Sequence, residues 1–142
     1  MKQPYLAEVL SSKDETKIRV VVKEPLKPAE IRLIDNDLSS MQQVVGGDIE
    51  VIPFPYNQMF DIYLNEEGKL NRLKPNLRLE HNGEMYDVVV GTVFISKVNE
   101  EGEAVSLELS ECFQILTEID KMAIQSVGEQ NLFDNDLERI WA

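Results

Sequence analysis

The sequence predicts an α+β fold that has a mainly antiparallel sheet of about five to seven strands, one short helix after the first strand, and C-terminal helices. Three observations support this fold class. Short segments of alternating apolar and polar residues, typical of strands, recur between residues 17 and 109. Turn sequences rich in asparagine and glycine separate several of these segments. After Ser110 the apolar residues recur at intervals of three and four, as they do in an amphipathic helix.

A single domain covering residues 1–142 is expected, because a chain of 142 residues can bury a core of its own. No apolar run approaches the ~18 residues of a membrane span, and the first residues do not resemble a secretory signal. These features predict a cytoplasmic protein without membrane contact. With one cysteine and one histidine, the chain can form no internal disulfide and offers too few ligands for a structural zinc site.

The first strand is predicted at residues 17–23, where Ile18, Val20 and Val22 share one face and the other face is expected to be exposed to solvent. The lysines in this strand either protect a sheet edge or bind a ligand, and edge protection is the favoured interpretation. Two prolines within residues 24–31 then predict either a change of chain direction or an irregular edge strand.

A short helix is predicted at residues 38–45, with Asp37 as its N-cap and Gly46 in the left-handed conformation that ends a helix. Alternation resumes at residues 49–53 and again at residues 60–64, and a proline-rich loop separates these two segments. The two segments are therefore expected to form an antiparallel hairpin.

The sequence NEEGK at residues 65–69 predicts a turn. In this turn the Asn65 side chain is expected to bond the backbone two residues on, and Gly68 is expected to adopt a positive φ. An extended segment and a second hairpin turn, at Asn82-Gly83, should follow.

The longest strand is predicted at residues 85–98, where Gly91 marks either a bulge or a close approach to its backbone. A second NEEG turn at residues 99–102 leads to a last strand at residues 104–109. An acidic helical extension is expected at residues 110–142, with one helix ending before Gly128 and a short terminal helix after it.

The net charge is −12, and this excess of acid disfavours binding to the phosphate backbone of nucleic acids. Residues 99–142 contain eleven acids but only two basic residues. This negative region is either a solubilising surface or a binding surface for a basic partner. A local cationic patch within residues 69–78 carries the opposite charge and suits a small phosphate-bearing ligand.

The segment from residue 65 to residue 78 combines amide and cationic groups, which are used together to recognise bases and phosphates. Tyrosine would supply a stacking face, either at position 63 or at position 86. The alternative is that the residues at 65, 66 and 69 only shape the turn. The candidate ligand-binding residues are Asn65, Glu66, Lys69, Arg72, Asn76, Arg78 and Tyr86.

The sequence gives little support for a catalytic function. Gly46-Gly47 follows a helix and so cannot present the amides of a helix N-terminus to a phosphate. His81 is expected to be an exposed hairpin residue, and Cys112 lies on an apolar helix stripe where a buried thiol is inert. No catalytic residue, metal site or cofactor is therefore predicted.

The segments VVGGDIEVI, YLNEEGKLNRLKPN and VVGTVFI occur in this order, and the chain resembles an uncharacterised domain family common in bacteriophages, plasmids and conjugative elements of Firmicutes and related bacteria. The resemblance covers roughly residues 18 to 116. It implies no activity, but it implies an accessory protein of a mobile element that acts in the cytoplasm of a bacterial host. The positions shared with the family are Val45, Gly46, Gly47, Asn65, Glu66, Gly68, Lys69, Asn76 and Gly91.

Three functional hypotheses follow from these observations. The first is a non-enzymatic, homo-oligomeric binding protein of a phage or mobile element, one version being a counter-defence sponge that sequesters an anionic, nucleotide-type signal. The second is an acidic interaction protein that inhibits a basic host factor such as a nuclease, repair or defence protein. The third, a hydrolase acting on nucleotides, has the least support because nucleophiles and histidines are scarce.

Overall fold

The computed structural model describes residues 16–125 of the chain, which form eight strands and two helices. The predicted α+β class, with a mainly antiparallel sheet, is confirmed. In chain order the elements are β1 (Lys17–Lys23), β2 (Glu30–Asp35), α1 (Leu38–Val45), β3 (Ile49–Pro53), β4 (Asp61–Asn65), β5 (Pro75–His81), β6 (Glu84–Val90), β7 (Val93–Val98), β8 (Ala104–Val105) and α2 (Leu109–Met122).

Six strands form the main sheet, in the order β2-β1-β7-β4-β3, and the short β8 pairs with the end of β7. All of its strand pairs are antiparallel. Strands β5 and β6 form a separate two-stranded sheet. Among the described residues, the outermost strands in this order are β2 and β3.

The main sheet is covered on both faces. Helix α1 packs Met41 and Val45 against one face, in a cluster that includes Phe94. Helix α2 and the β5–β6 hairpin cover the other face, where Ile115 and Leu77 contribute to the larger core cluster. Apolar burial on both faces is what holds the three layers together.

Strand β1 differs from its prediction because it is internal to the sheet. It pairs with β2 on one side and with β7 on the other, so its lysines do not guard an edge. Val21, on the face expected to be wet, is fully buried under the second layer, and Lys23 is buried as well. The prolines before β2 lie in the turn that leads to the actual edge strand.

The ends of α1 are as predicted. The Asp37 side chain accepts a hydrogen bond from the Ser40 amide at 2.7 Å, which satisfies one of the unpaired donors of the first turn. Gly46 has a φ of 84° and its amide donates to the Gln42 carbonyl. The predicted β3–β4 hairpin and the Asn82-Gly83 hairpin turn are also present.

The predicted long strand at residues 85–98 is wrong, because Gly91 divides it into β6 and β7, which belong to different sheets. Gly91 has a φ of 78°, and a Cβ atom there would lie 2.7 Å from Leu73 Cδ1. The close approach was therefore predicted correctly. Gly68 does not have the expected positive φ, and it is required instead because a Cβ would lie 2.9 Å from Val90 Cγ2.

The last strand is shorter than predicted. Strand β8 covers only two residues, because the chain leaves the sheet to start α2 at Leu109. Glu108 and Glu111 form a capping box at the start of this helix. No helix in residues 16–125 is long and apolar enough to cross a membrane. The predicted terminal helix within residues 132–141 lies outside the described residues.

Candidate functional site

Asn65, at the end of β4, is occupied by contacts within the protein. Its amide nitrogen donates to the Val45 carbonyl at 3.2 Å, and its amide oxygen accepts from the Glu67 amide at 2.8 Å. The second bond is the predicted bond of the side chain to the backbone two residues on. The buried side chain thus joins the end of α1 to the turn after β4.

Asn76, at the start of β5, is fully buried and joins the two sheets. Its amide nitrogen donates to the carbonyls of Lys23 at 2.9 Å and Gly91 at 2.8 Å. Its amide oxygen accepts from Lys23 Nζ at 3.0 Å. Each polar atom of this amide therefore has a partner inside the protein.

The Lys23 ammonium group is buried next to Asn76 and also donates to the Glu24 carbonyl at 2.7 Å. Burial lowers the pKa of Lys23, and attraction to the Asp120 carboxylate opposes this shift only in part. A cation that lies beneath the sheet surface and donates to two protein oxygens is part of the fold. It is not positioned to receive a ligand from solvent.

The cationic patch is partly neutralised by neighbouring acids. Lys69 forms an ion pair with Asp87, and Arg78 Nε lies 3.9 Å from Glu80 Oε2. The Nε atom of Arg78 is buried and has no hydrogen-bond partner among the described residues. Arg72 is exposed and has a φ of 52°.

A cavity of about 180 Å³ lies between β6 and the β3–β4 hairpin. Three of the seven predicted site residues line it, namely Asn65, Glu66 and Lys69. Glu50 and Asp87 line it too, so its charge is mainly negative. Ligand pockets for small molecules usually have a volume of about 300–1,000 Å³, so this cavity is smaller than a nucleotide requires.

A larger, open cleft of about 760 Å³ lies between the tip of the β5–β6 hairpin and the loop after β3. We call it the tip cleft. Tyr86 is the one predicted site residue that lines it. The lining residues are Pro55, Gln58, Glu80, His81, Glu84, Met85 and Tyr86.

The tip cleft combines negative charge with exposed apolar surface. Glu80 and Glu84 are exposed, and among the described residues no lysine or arginine lines the cleft. Tyr86 is 62% exposed and Met85 47% exposed. Large apolar side chains with this exposure, grouped beside acids, are typical of an interaction surface.

The loop that forms the other wall of the cleft adds to this apolar surface. Its residues Tyr56 and Met59 are also exposed, and Lys121 Nζ lies 5.8 Å from the centre of the Tyr56 ring. Tyr63, the other predicted stacking residue, is buried and stacks on Phe94 with 4.5 Å between ring centres. Only Tyr86 of the two predicted tyrosines offers a face to solvent.

The nucleophile candidates are placed as the sequence analysis expects. Cys112 is fully buried in the core, and burial raises the pKa of its thiol to about 11, which leaves little thiolate at neutral pH. His81 is exposed at the hairpin tip. Within residues 16–125 no group of His, Cys, Asp or Glu side chains is arranged to hold a metal ion.

Glu80, Glu84 and Gln58 were not predicted to share a cleft. The Asn82-Gly83 turn was a usable signal, because it places the residues on either side of it at a protruding tip. The loop that faces this tip is distant in sequence, so its contribution could not be derived locally. The assignment of Asn65, Arg72, Asn76 and the other predicted residues to a ligand stays a prediction.

A family model described as a domain of unknown function (DUF3846) matches residues 18–120. The predicted resemblance to an uncharacterised domain family is therefore confirmed, whereas its mobile-element origin stays a prediction. The comparisons returned no similar curated protein and no similar solved structure.

Proposed function

We propose that this chain, which belongs to the DUF3846 family of domains of unknown function, is a non-enzymatic protein that binds a positively charged segment of a partner protein at the tip cleft. The observation that carries the proposal is the lining of the cleft. Two carboxylates stand beside an exposed tyrosine and an exposed methionine, and among the described residues no lysine or arginine lines the cleft, although Arg78 Nε lies 3.9 Å from Glu80 Oε2.

An acidic cleft on a protein of net charge −12 attracts basic partners and repels phosphate groups. Tyr86 offers an aromatic face on which an arginine or lysine can rest, a contact that strengthens when water is excluded. Met85 adds an adaptable apolar surface beside the tyrosine. Together these groups favour the side chain of a basic residue over an anionic ligand.

The anionic, nucleotide-type ligand is the less favoured proposal. Its binding would need free cations and amides in the segment after β4, whereas Lys69 pairs with Asp87 and the amides of Asn65 and Asn76 bond within the protein. The cavity at this segment has a volume of about 180 Å³, below the usual range for small-molecule pockets. The hydrolase hypothesis has no contact in its favour among the described residues.

The biological setting of the proposal depends on the expected mobile-element origin. In that setting the partner is a basic protein of the bacterial host, for example a nuclease or a repair or defence protein, and binding would inhibit it. The acids of α2 offer a second negative surface for such a partner, although Glu111 is held by Lys97 at 2.8 Å.

Binding is tested with fluorescently labelled peptides in which arginine and glycine alternate, and with matched aspartate-glycine peptides. We expect only the basic peptide to bind and its affinity to fall as salt is raised. The double variant Glu80→Lys, Glu84→Lys should weaken binding by about tenfold or more, because attraction becomes repulsion. The matched control is Glu100→Lys, Glu101→Lys, which makes the same charge change in an exposed turn away from the cleft.

Two results would overturn this proposal. One is an equal loss of affinity in both double variants, which would show only nonspecific charge attraction. The other is a nucleotide released by heating the purified protein and detected by mass spectrometry, together with a thermal shift on adding cyclic or ribosylated nucleotides. That second result would restore the anionic-ligand proposal.

A further inference from the structure

The two edges of the main sheet are protected to different degrees. At the β2 edge, Lys17 pairs with Asp35 at 2.7 Å, and Arg32 pairs with Glu24 at 2.9 Å and with Glu30. Such charged side chains are a common defence against the addition of a further strand. No described residue forms an ion pair with a side chain of β3.

The hydrogen bonds at the two ends of the β3–β4 hairpin define which backbone groups of β3 are free. The Glu66 amide donates to the Asp48 carbonyl at 2.8 Å, and the Phe54 amide donates to the Phe60 carbonyl at 2.9 Å. The register between these two pairs is unbroken. Because hydrogen-bonded pairs alternate with non-bonded pairs in an antiparallel ladder, bonding to β4 falls on every second residue of β3.

Glu50 and Ile52 therefore bond to β4, whereas the backbone groups of Ile49 and Val51 point to the open edge. Val51 is 47% exposed, and among the described residues neither Ile49 nor Val51 has a backbone partner on that side. Pro53 lies at a position whose missing N–H would also face the open edge, as prolines in edge strands do. The free edge thus offers two residues with both donor and acceptor.

The open edge lies beside the negative charge of both cavities. Strand β3 contributes Glu50 to the small cavity, and the loop that follows it contributes Pro55 to the tip cleft. Strand β6 runs past the same two cavities, with Tyr86 in the tip cleft and Asp87 in the small cavity. An extended segment placed along β3 would therefore pass Glu50 and reach the tip cleft.

We infer that the free edge of β3 accepts an extended, basic segment of the partner protein as an additional strand of the main sheet. This inference rests on the proposed function and adds the mode of binding. Main-chain bonds to Ile49 and Val51 would hold the segment, and alternate side chains would lie on the face that carries Glu50. A lysine or arginine at every second position matches that acidic face.

A second copy of this chain is a less suitable occupant of the edge. Each copy carries a net charge of −12, so pairing of two β3 edges brings like charges together. In β3 only Ile49 and Val51 present both an N–H and a C=O group to the open edge. Main-chain hydrogen bonds alone therefore give modest affinity, and complementary charge has to supply the remaining binding energy. A basic partner meets that condition.

The probe is a synthetic peptide in which lysine and valine alternate. Its controls are the same peptide N-methylated at every second residue, in either register, which keeps the side chains but removes donors needed for pairing. We expect the unmodified peptide to slow hydrogen exchange of the Val51 amide in the full chain. At least one of the two methylated peptides should leave this exchange rate unchanged.

Two variants of the protein complete the test. Val51→Pro removes an outward N–H that β4 does not use, so β3 should remain paired with β4. It should weaken peptide binding by about tenfold, the effect of roughly 1.4 kcal/mol in lost main-chain bonding. Val51→Thr keeps the N–H and should bind as the parent does. Melting curves of both variants check that the fold is retained.

Each outcome decides the inference. If Val51→Pro binds like the parent while Glu80→Lys, Glu84→Lys does not, strand addition is wrong and the proposed function stands. If neither protein is affected, both proposals fail. A Val51 amide that already exchanges slowly in the free protein would show that a second copy or another part of this chain covers the edge, and this also overturns the inference.

Discussion

Asn76 gives the sharpest test of whether a predicted ligand residue is instead a structural one. Replacing it with alanine removes three side-chain hydrogen bonds, two donated to carbonyls and one accepted from the buried Lys23 ammonium group. A typical hydrogen bond contributes a net ~1 kcal/mol to stability, and a buried group left without a partner costs about 1–3 kcal/mol. We expect Asn76→Ala to lower the free energy of unfolding by about 3–5 kcal/mol.

The measurement is urea unfolding followed by circular dichroism. The matched control is Asn71→Ala, an exposed position where a change below about 0.5 kcal/mol is expected. In a double-mutant cycle, Lys23→Ala and Asn76→Ala should be coupled by at least about 1 kcal/mol, because the two residues share one network. A loss below about 1 kcal/mol for Asn76→Ala would refute this account of the contact between the two sheets.

Two further predictions concern the same region. Gly91→Ala should lower the free energy of unfolding by about 2–4 kcal/mol, since the residue must keep a left-handed conformation and its new methyl group meets Leu73. Adding Leu73→Ala should remove the steric clash but not the backbone strain, so urea titration should show that only part of the lost stability returns. Burial lowers the pKa of the Lys23 ammonium group below its ordinary 10.5. At pH values between this lowered pKa and 10.5, the unfolded chain binds more protons than the folded chain, so the free energy of unfolding rises with pH. Lys23→Met should lack this rise when urea midpoints are compared at about pH 8 and pH 10, and an equal rise in both proteins would contradict it.

The elements that the sequence predicted well are those whose causes are local. Helix α1 was predicted from an N-cap, an apolar spacing and a terminal glycine that all lie within ten residues or so. The turn at Asn82-Gly83 is determined in the same way, by residues that accept positive φ angles of 53° and 82°. Neither prediction required knowledge of a distant neighbour.

The errors arose where distant segments decide the outcome. Residues 85–98 have the pattern of one strand, but β6 pairs with β5 and β7 lies between β1 and β4. The alternation of apolar and polar residues in β1 correctly placed Val20 on a buried face. It could not reveal that the β5–β6 hairpin and α2 bury Val21 on the opposite face of the sheet. A strand pattern shows which residues can share a face, not what covers that face.

In the candidate site, too, local features were predicted and contacts between distant segments were not. The amide and cationic residues within 65–78 are neighbours in sequence, but two of the amides turn inward to different partners. Asn65 bonds to the end of α1, and Asn76, which lies in the second sheet, bonds to Lys23 in the main sheet. The tip cleft was not predicted, because its two walls come from the loop after β3 and from a hairpin some twenty-five residues later. Charge, by contrast, was available from composition alone.

By itself, the amino-acid sequence determined the class of fold, the capped helix, the tight turns and the acidic character of the protein. Those properties depend on composition and on interactions between residues close together in the chain. Only the tertiary structure decided which strand is an edge, which amides are buried and where carboxylates meet exposed aromatic rings. The physical reason is that burial and the pairing of strand edges are set by segments far apart in sequence, which come together only when the core forms.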